Sequence, residues 1–471
     1  MLPMFLAMVD QTIIATALPA IAASTGSVER ASWVVVAYLI AATIAAPVYG
    51  RLGDSFGRRK VMFFALPIFI LASLLCAVSR TIELLTFARV LQGLGGGGLM
   101  TLSQALVGEV IPPRERARYQ GYLAAVAVTA NTFGPVAGGY LTEHFGWPSI
   151  FLINGPIGLL AIVLVMRLPK PTRDPVPWRL DAGGILLLAL FVATALVALE
   201  QIRHAERSTL SLGGSLLIGA VFALVFLVRH ERRTLHPVIP VDLLKHPAIW
   251  RSDAMAAFHG AGLVSALTFL PVYLQVVRGM SPSQTGLMLV PLTIGIGTGS
   301  LITGRFVSKT GLTTIFPIVG FCVVTTGFVT LALWADALSE HAFLALMLGM
   351  GLFMGTVMGV VQVTVQSAAG SARLGAAAAS VQFSRSIGAA IGTAIVATVI
   401  FGFLALKRPE AFGLFVEAIE HARRTGAGFP QAPQSAAQAD IKDVFRAAFL
   451  TMALFTTTGV VLAATNPMRR I

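Results

Sequence analysis

The 471-residue chain is 56% hydrophobic and only 12% charged, with a mean hydropathy of +0.81. Soluble domains carry roughly 25% charged residues, so this composition excludes a water-soluble globular protein and places the chain in lipid. The net charge of +13 would suit nucleic acid only if it gathered on one exposed face, so its distribution decides that question.

Apolar runs near the length that crosses roughly 30 Å of hydrocarbon fall at 1–23, 32–51, 60–79, 83–110, 118–141, 147–167, 182–201, 211–229, 252–277, 284–305, 313–334, 341–367, 374–405 and 445–465. They predict an all-α integral membrane protein of fourteen spans. With the N-terminus inside, most of the 34 Lys and Arg fall on the inner side. The short outer loops hold only Arg30, Arg80, Arg203, Arg207 and Arg278. This bias reports orientation, with both termini cytoplasmic, and removes nucleic acid as a partner. Cys76 and Cys322 each sit in the middle of a run as small hydrophobes, and no disulfide framework is implied.

The first run carries Asp10. An ionisable group near the bilayer centre costs about 2.5–3.5 kcal/mol on insertion scales, so it is normally paired, protonated or working. The alternative is an acid close enough to the chain start to reach water. Without a basic leader the run is no cleaved signal peptide, and the nearness of Asp10 to Met1 points to a truncated or misassigned start.

Between the second and third runs lies the basic hairpin Gly50-Arg51-Leu52-Gly53-Asp54-Ser55-Phe56-Gly57-Arg58-Arg59-Lys60. A weaker copy, Gly304-Arg305-Phe306-Val307-Ser308-Lys309-Thr310-Gly311, joins runs ten and eleven. A repeat of this kind predicts two related halves. Asp54 suits a helix N-terminus, whose exposed N–H groups favour a negative partner. Arg58 suits a pairing with Glu109 at the inner end of run four, and these contacts would hold the halves together on the cytoplasmic side. Topological anchoring explains Arg59 and Lys60 and is the alternative for the rest.

Run four contains Arg89, Gln92 and Gly93-Leu94-Gly95-Gly96-Gly97-Gly98. The glycine spacing imitates a dinucleotide-binding pattern, but that pattern needs a preceding strand, and a glycine run inside a span instead lets helices approach closely. A guanidinium favours an ionised carboxylate nearby while burial favours the neutral form. A carboxylate held between these effects can load and unload a proton. The alternative for Arg89 is a structural donor to helix carbonyls. In run five, Gly134-Pro135-Val136-Ala137-Gly138-Gly139 combines a helix break with a smooth face.

The proline-rich connection at 168–181 and the stretch at 230–251 flank an inserted pair of spans. The predicted organisation is a six-helix unit at 1–167, linker and inserted pair at 168–251, and a second six-helix unit at 252–471. Polar residues in the second unit, Gln275, Gln362 and Gln366, join Gln92 as candidates to line a substrate cavity. Arg385 either attracts an anionic substrate group or braces its helix. Gly388 and Gly392 in run thirteen correspond to the face of run five; both faces are either ordinary packing or the interface on which the halves rock.

These segments together resemble the major facilitator superfamily, and within it the fourteen-span drug/proton antiporters. The match rests on Leu6-Ala7-Met8-Val9-Asp10-Gln11-Thr12-Ile13-Ile14-Ala15-Thr16-Ala17-Leu18-Pro19, the Gly50–Lys60 hairpin, Arg89 with Gln92 and Gly93, and Gly134-Pro135 with Gly138-Gly139. Ala130 departs from it where the antiporter pattern often begins with Gly, and the usual cytoplasmic leader is missing. The resemblance implies two six-helix bundles with pseudo-two-fold symmetry plus two inserted helices. It implies Asp10 and Arg89 in proton coupling, Gly50, Asp54, Gly57, Arg58 and Glu109 in the cytoplasmic gate, and Gly134 and Pro135 in a hinge.

The expected function is proton-coupled efflux of amphipathic small molecules from the inner membrane of a bacterium. No cofactor or metal is expected, the proton gradient being the energy source. Protons, membrane lipid and the substrate are the partners, with an envelope adaptor protein as a further candidate. With Asp10 as the single acid well inside a span, proton stoichiometry is expected to be low. Export of one native metabolite, of fatty-acid or siderophore class, and a non-transporting sensor or scaffold are the alternatives. An enzyme is disfavoured because the sequence offers no nucleophile elbow, paired carboxylates or His/Cys cluster.

Overall fold

A computed structural model describes residues 1–26, 30–168, 181–203, 207–234, 237–238, 242–407 and 435–470. Lipid offers no hydrogen-bond partner to a peptide group, so a chain of this composition satisfies its backbone within helices. The helices are α1 (Leu2–Thr25), α2 (Ser32–Phe56), α3 (Arg58–Val78), α4 (Ile82–Val110), α5 (Pro113–Phe145), the broken pair α6 (Ser149–Leu152) and α7 (Asn154–Met166), α8 (Ala182–Arg203), and α9 (Arg207–Glu231). They continue as α10 (Pro247–Val276), α11 (Pro282–Thr310), α12 (Ile315–Trp334), α13 (Glu340–Ala369), α14 (Leu374–Lys407) and α15 (Ser435–Ala464). Among the described residues there is no strand, and one isolated antiparallel bridge joins Leu312 to Arg470.

Among the described residues ten helices, counting α6 and α7 as one, are long and apolar enough to cross a membrane, and α1, bent by 60°, makes an eleventh. The others fall short for identifiable reasons. Glycines and the polar Arg89 and Gln92 dilute α4, while Thr129, Asn131, Thr132, Pro135 and glycines dilute α5. The apolar part of α8, Ala182–Ala198, is short. The connections expected at 168–181 and 406–444 lie largely outside the described residues.

Both glycines of the repeated hairpin have a geometric reason. The second glycine ends a helix at positive φ, 90° at Gly57 and 72° at Gly311, where a side chain would be strained. The first lies against the backbone of a distant helix. A Cβ on Gly50 would stand 2.6 Å from the carbonyl oxygen of Gly375 on α14, and one on Gly304 would stand 2.5 Å from that of Ala117 on α5. The repeat therefore builds two related seams, α2 against α14 and α5 against α11. Gly121 of α5 extends the second, where a Cβ would stand 2.8 Å from the Ser300 carbonyl of α11.

Between helices in lipid, close packing rather than expulsion of water supplies the cohesion. One apolar core gathers Leu6, Tyr38, Leu66, Phe69 and Leu99 from α1 to α4. A second gathers Phe269, Phe328, Phe343, Phe445 and Phe449 from α10, α12, α13 and α15. In it the Tyr273 ring lies 5.5 Å from both Phe445 and Phe449 in edge-on contacts. α8 and α9 share a smaller cluster of Leu188, Phe191 and Leu227, which rests on Ile40 and Ile44 of α2 and on Phe383 and Ile387 of α14. Large apolar side chains such as Phe64, Leu71, Val136 and Phe222 are exposed, as a lipid-facing surface requires.

Candidate functional site

Asp10 lies on α1 with no exposed surface, and the side chains around it come from four other helical segments. Its Oδ2 accepts from Arg89 Nη1 of α4 at 2.6 Å. Its Oδ1 accepts from Gln92 Nε2 and from Asn154 Nδ2 at the start of α7, both at 2.8 Å. Gln92 and Asn154 also donate to Ser73 Oγ of α3, at 2.6 and 3.2 Å. Arg89 donates through Nε to the Val34 carbonyl of α2 at 3.1 Å, and its guanidinium carbon stands 4.2 Å from the centre of the Tyr38 ring.

The spacing of three on α4 puts Arg89 and Gln92 on one helix face, so a single helix grips both carboxylate oxygens. Asp10, Ser73, Arg89, Gln92 and Asn154 are all buried. A carboxylate with three donors, one of them a guanidinium, has its hydrogen-bonding needs met as an anion. A proton arriving there removes the counter-charge of Arg89 and forces the knot to rearrange. Breaking one partner of such a pair costs about 3–5 kcal/mol, enough to bias two conformations.

Gln92 therefore belongs to the acid's hydrogen-bond shell and does not line an open cavity, which corrects the sequence expectation. Asn154 and Ser73 escaped that reading. Asn154 was visible as a lone amide in the apolar run 147–167, whereas Ser73 carries no signal in a span where serine is common.

The hairpin forms a second charged cluster. Asp54, near the end of α2, accepts from the backbone N–H groups of Gly375 and Ala376 at 2.7 and 2.9 Å, capping the first turn of α14. Arg58 opens α3 and is buried between two acids. It contacts Asp54 one helical turn away and pairs through Nη1 with Glu109 Oε2 of α4 at 2.8 Å. Asp54, Arg58 and Glu109 thus tie α2, α3, α4 and α14 together at the hairpin end. In the second hairpin Ser308 stands where Asp54 stands in the first, so the α5–α11 seam lacks an equivalent charged cap.

Of the two readings of the small-residue faces, the contacts are those of helix packing. A side chain on Gly134 or Gly138 would strike Thr12, Ile13 and Thr16 of α1, and one on Gly388 or Gly392 would strike Ala257 and Ala261 of α10. These faces join α5 to α1 and α14 to α10, and the α2–α14 and α5–α11 seams are built by other glycines. Pro135 lies inside the unbroken helix α5. Gly139 has nothing within 4 Å of where a Cβ would sit, so it contributes to no seam.

The remaining candidates are dispersed. Gln275 is half-buried next to the end of α10 opposite the hairpins, apart from the others. Gln366 is buried and donates to the Gln104 carbonyl of α4 at 3.1 Å, while Gln362 is buried with its amide nitrogen unpartnered. Arg385 is half-buried on α14 and its side-chain carbons run beside Gly260 of α10. The expectation of a single acid inside the spans is also corrected. Asp253 of α10 is buried, accepts from Ser380 of α14 at 3.3 Å through Oδ1, and leaves Oδ2 unpartnered. Asp253 stands at the very start of run 252–277, but α10 begins earlier, at Pro247, and draws it inward.

The chain is 35% identical over 348 residues to an uncharacterized MFS-type transporter of Mycobacterium tuberculosis, covering 73% of this chain and 50% of that one. It is 31% identical over 357 residues to the multidrug transporter protein MdtP of Bacillus subtilis, covering 74% and 65%. The chain thus spans between half and two thirds of the length of these relatives. Its fold matches the crystal structure of the human organic anion transporter MFSD10 with a TM-score of 0.66 at 16% identity, covering 98% of this chain and 97% of that one. The sequence pattern described as Major Facilitator Superfamily matches residues 1–393. With that match laid over the paired seams and the charged hairpin, the chain belongs to the Major Facilitator Superfamily, as a multi-pass membrane protein.

Proposed function

We propose that this protein exports amphipathic small molecules across a bacterial inner membrane in exchange for protons. It does so as a fourteen-span transporter whose six-helix units, 1–167 and 252–471, rock about the α2–α14 and α5–α11 seams, with α8 and α9 as an inserted pair. The observation that carries this reading is the buried knot of Asp10, Arg89, Gln92 and Asn154. It places one ionisable carboxylate where its charge state controls contacts among α1, α3, α4 and α7. The similarity to multidrug transporters supports the cargo class.

The hairpin end faces the cytoplasm in this reading, with both termini on that side. Asp54 on the α14 N-terminus and Arg58 between its two acids then close the cytoplasmic gate. A proton reaching Asp10 from outside loosens the grip of Arg89 and Gln92. The strain passes along α4 to Glu109, and the gate opens inward for cargo. Release of the proton to the cytoplasm restores the knot and returns the transporter with its load.

Everted vesicles test this directly. Proton-driven efflux of a dye should fall to background in Asp10→Asn while dye binding to the purified variant persists. Undiminished proton-driven efflux in Asp10→Asn would remove Asp10 from the coupling step.

A further inference from the structure

Each arginine of the clusters described above has oxygen partners: Arg89 has Asp10, and Arg58 has Asp54 and Glu109. Arg278, beyond the end of α10, donates to the carbonyls of Ala335 and Leu338. Arg385 is different. It lies well inside α14, yet among the described residues its guanidinium makes no hydrogen bond and no ion pair. An arginine cannot shed its charge, and an unpaired charge inside a bilayer is strongly unfavourable.

Among the described residues no acid pairs with Arg385. α14 contains no acid, and Asp253 is the one acid of α10, held by Ser380 five positions nearer the hairpin end. The other titratable side chain on this stretch of α10 is His259, which is buried with Nε2 on the Met354 carbonyl at 3.1 Å and Nδ1 unpartnered. The polar side chains beside Arg385 are unoccupied too. Gln382 and Ser386, three residues before Arg385 and one after it and so, four apart, on the same helix face, are half-buried and form no side-chain hydrogen bonds among the described residues.

This polar arc lies between two sealed faces of α14. Gly388 and Gly392 pack on α10 to one side, and Phe383 and Ile387 pack on the α8–α9 cluster to the other. The arc therefore opens into the protein and not onto lipid. Gly260 lets α10 close onto Arg385, since a Cβ there would strike the Arg385 carbonyl oxygen and stand 3.2 Å from Arg385 Cγ.

We propose that Arg385, with Gln382 and Ser386, binds the acidic headgroup of an amphipathic anion, so that the cargo of this transporter carries a carboxylate or phosphate. The inference rests on the export reading and narrows its substrate class. A guanidinium offers paired N–H donors matched to a carboxylate or phosphate, and the adjoining apolar residues suit the remainder of such a molecule.

The test uses the purified full chain in phosphatidylcholine nanodiscs, with a dansyl-labelled long-chain fatty acid and its methyl ester as probes read by fluorescence anisotropy. The wild type should bind the acid at least about ten-fold more tightly than the ester. Arg385→Gln should abolish that preference and leave ester binding unchanged, and Arg385→Lys should retain part of it. Equal wild-type affinity for acid and ester would overturn the proposal even if no variant folded, as would an equal loss of both probes in a folded Arg385→Gln. Displacement of the acid by added phosphatidylglycerol would assign the site to a lipid headgroup and overturn the cargo assignment. No proton gradient is present, so a protein that prefers the acid but fails to move it in vesicles sinks the export reading alone.

Discussion

The carboxylate of Asp54 accepts a 2.7 Å hydrogen bond from the backbone N–H of Gly375, a residue 321 positions further along the chain. The two residues also share the tightest part of the α2–α14 seam, because Gly50 lies one turn before Asp54 and its missing side chain lets the Gly375 carbonyl approach. Charge and shape therefore act at one point. The hairpin closes only when α14 presents its first turn to α2.

Asp54→Ala removes the cap from two N–H groups and one counter-charge from Arg58. A cap of this kind is worth about 1 kcal/mol, more when charge-assisted. Turnover in a vesicle efflux assay should fall about ten-fold while the affinity for substrate changes less than about three-fold. Binding weakened in the same proportion as turnover is lost would contradict a gating role.

Gly50→Val should wedge the α2–α14 seam open, since even a Cβ there would lie 2.6 Å from a fixed backbone oxygen. A cysteine introduced at the hairpin end should then react faster with a membrane-impermeant maleimide in everted vesicles. Gly139→Ala is the matched control: open space surrounds that position, and the change should alter stability by less than about 0.5 kcal/mol.

Arg89→Ala should leave Asp10 as an unpaired buried acid. The expected destabilisation is about 3–5 kcal/mol, read as a fall in the melting temperature in detergent. The double variant Asp10→Asn with Arg89→Ala should recover part of that loss, because it removes the stranded charge as well. A double variant less stable than Arg89→Ala alone would show that the pair is not the source of the effect.

Asn154→Ala should reduce proton-driven efflux although the residue carries no charge. It removes one donor from Asp10 and one from Ser73, at about 1–3 kcal/mol for a buried group left unsatisfied. Asn154→Ser, too short to span the same gap, should behave like the Ala variant, whereas Asn154→Gln should differ from both. Wild-type transport in the Ala variant would show that Asp10 is held adequately by α4 alone.

Much of this protein was readable before any coordinates. The repeated Gly-Arg hairpin, the first-run acid, the arginine of α4 and the match of Arg58 to Glu109 all stood out because charged or glycine residues are rare inside apolar runs. The readings that needed correction share one cause. Gln92 and Asp253 were each located correctly along a helix, but a helix has several sides. Periodicity marks a smooth or polar side without naming its neighbour, so the faces of Gly134 and Gly388 stay open in the sequence between ordinary packing and a seam between halves, and only the structure sets them on α1 and α10.

Composition and local pattern by themselves determined the lipid setting, the helical class and the identity of the rare polar residues, because a bilayer penalises every charge and every unsatisfied peptide group wherever the chain later folds. Only the tertiary structure decided partnership. Asp10 meets Asn154 across 144 positions and Asp54 meets Gly375 across 321, while Arg385 meets no acid among the described residues. Such pairings depend on how helices distant in sequence rotate and cross, a property of close packing that a linear chain does not record.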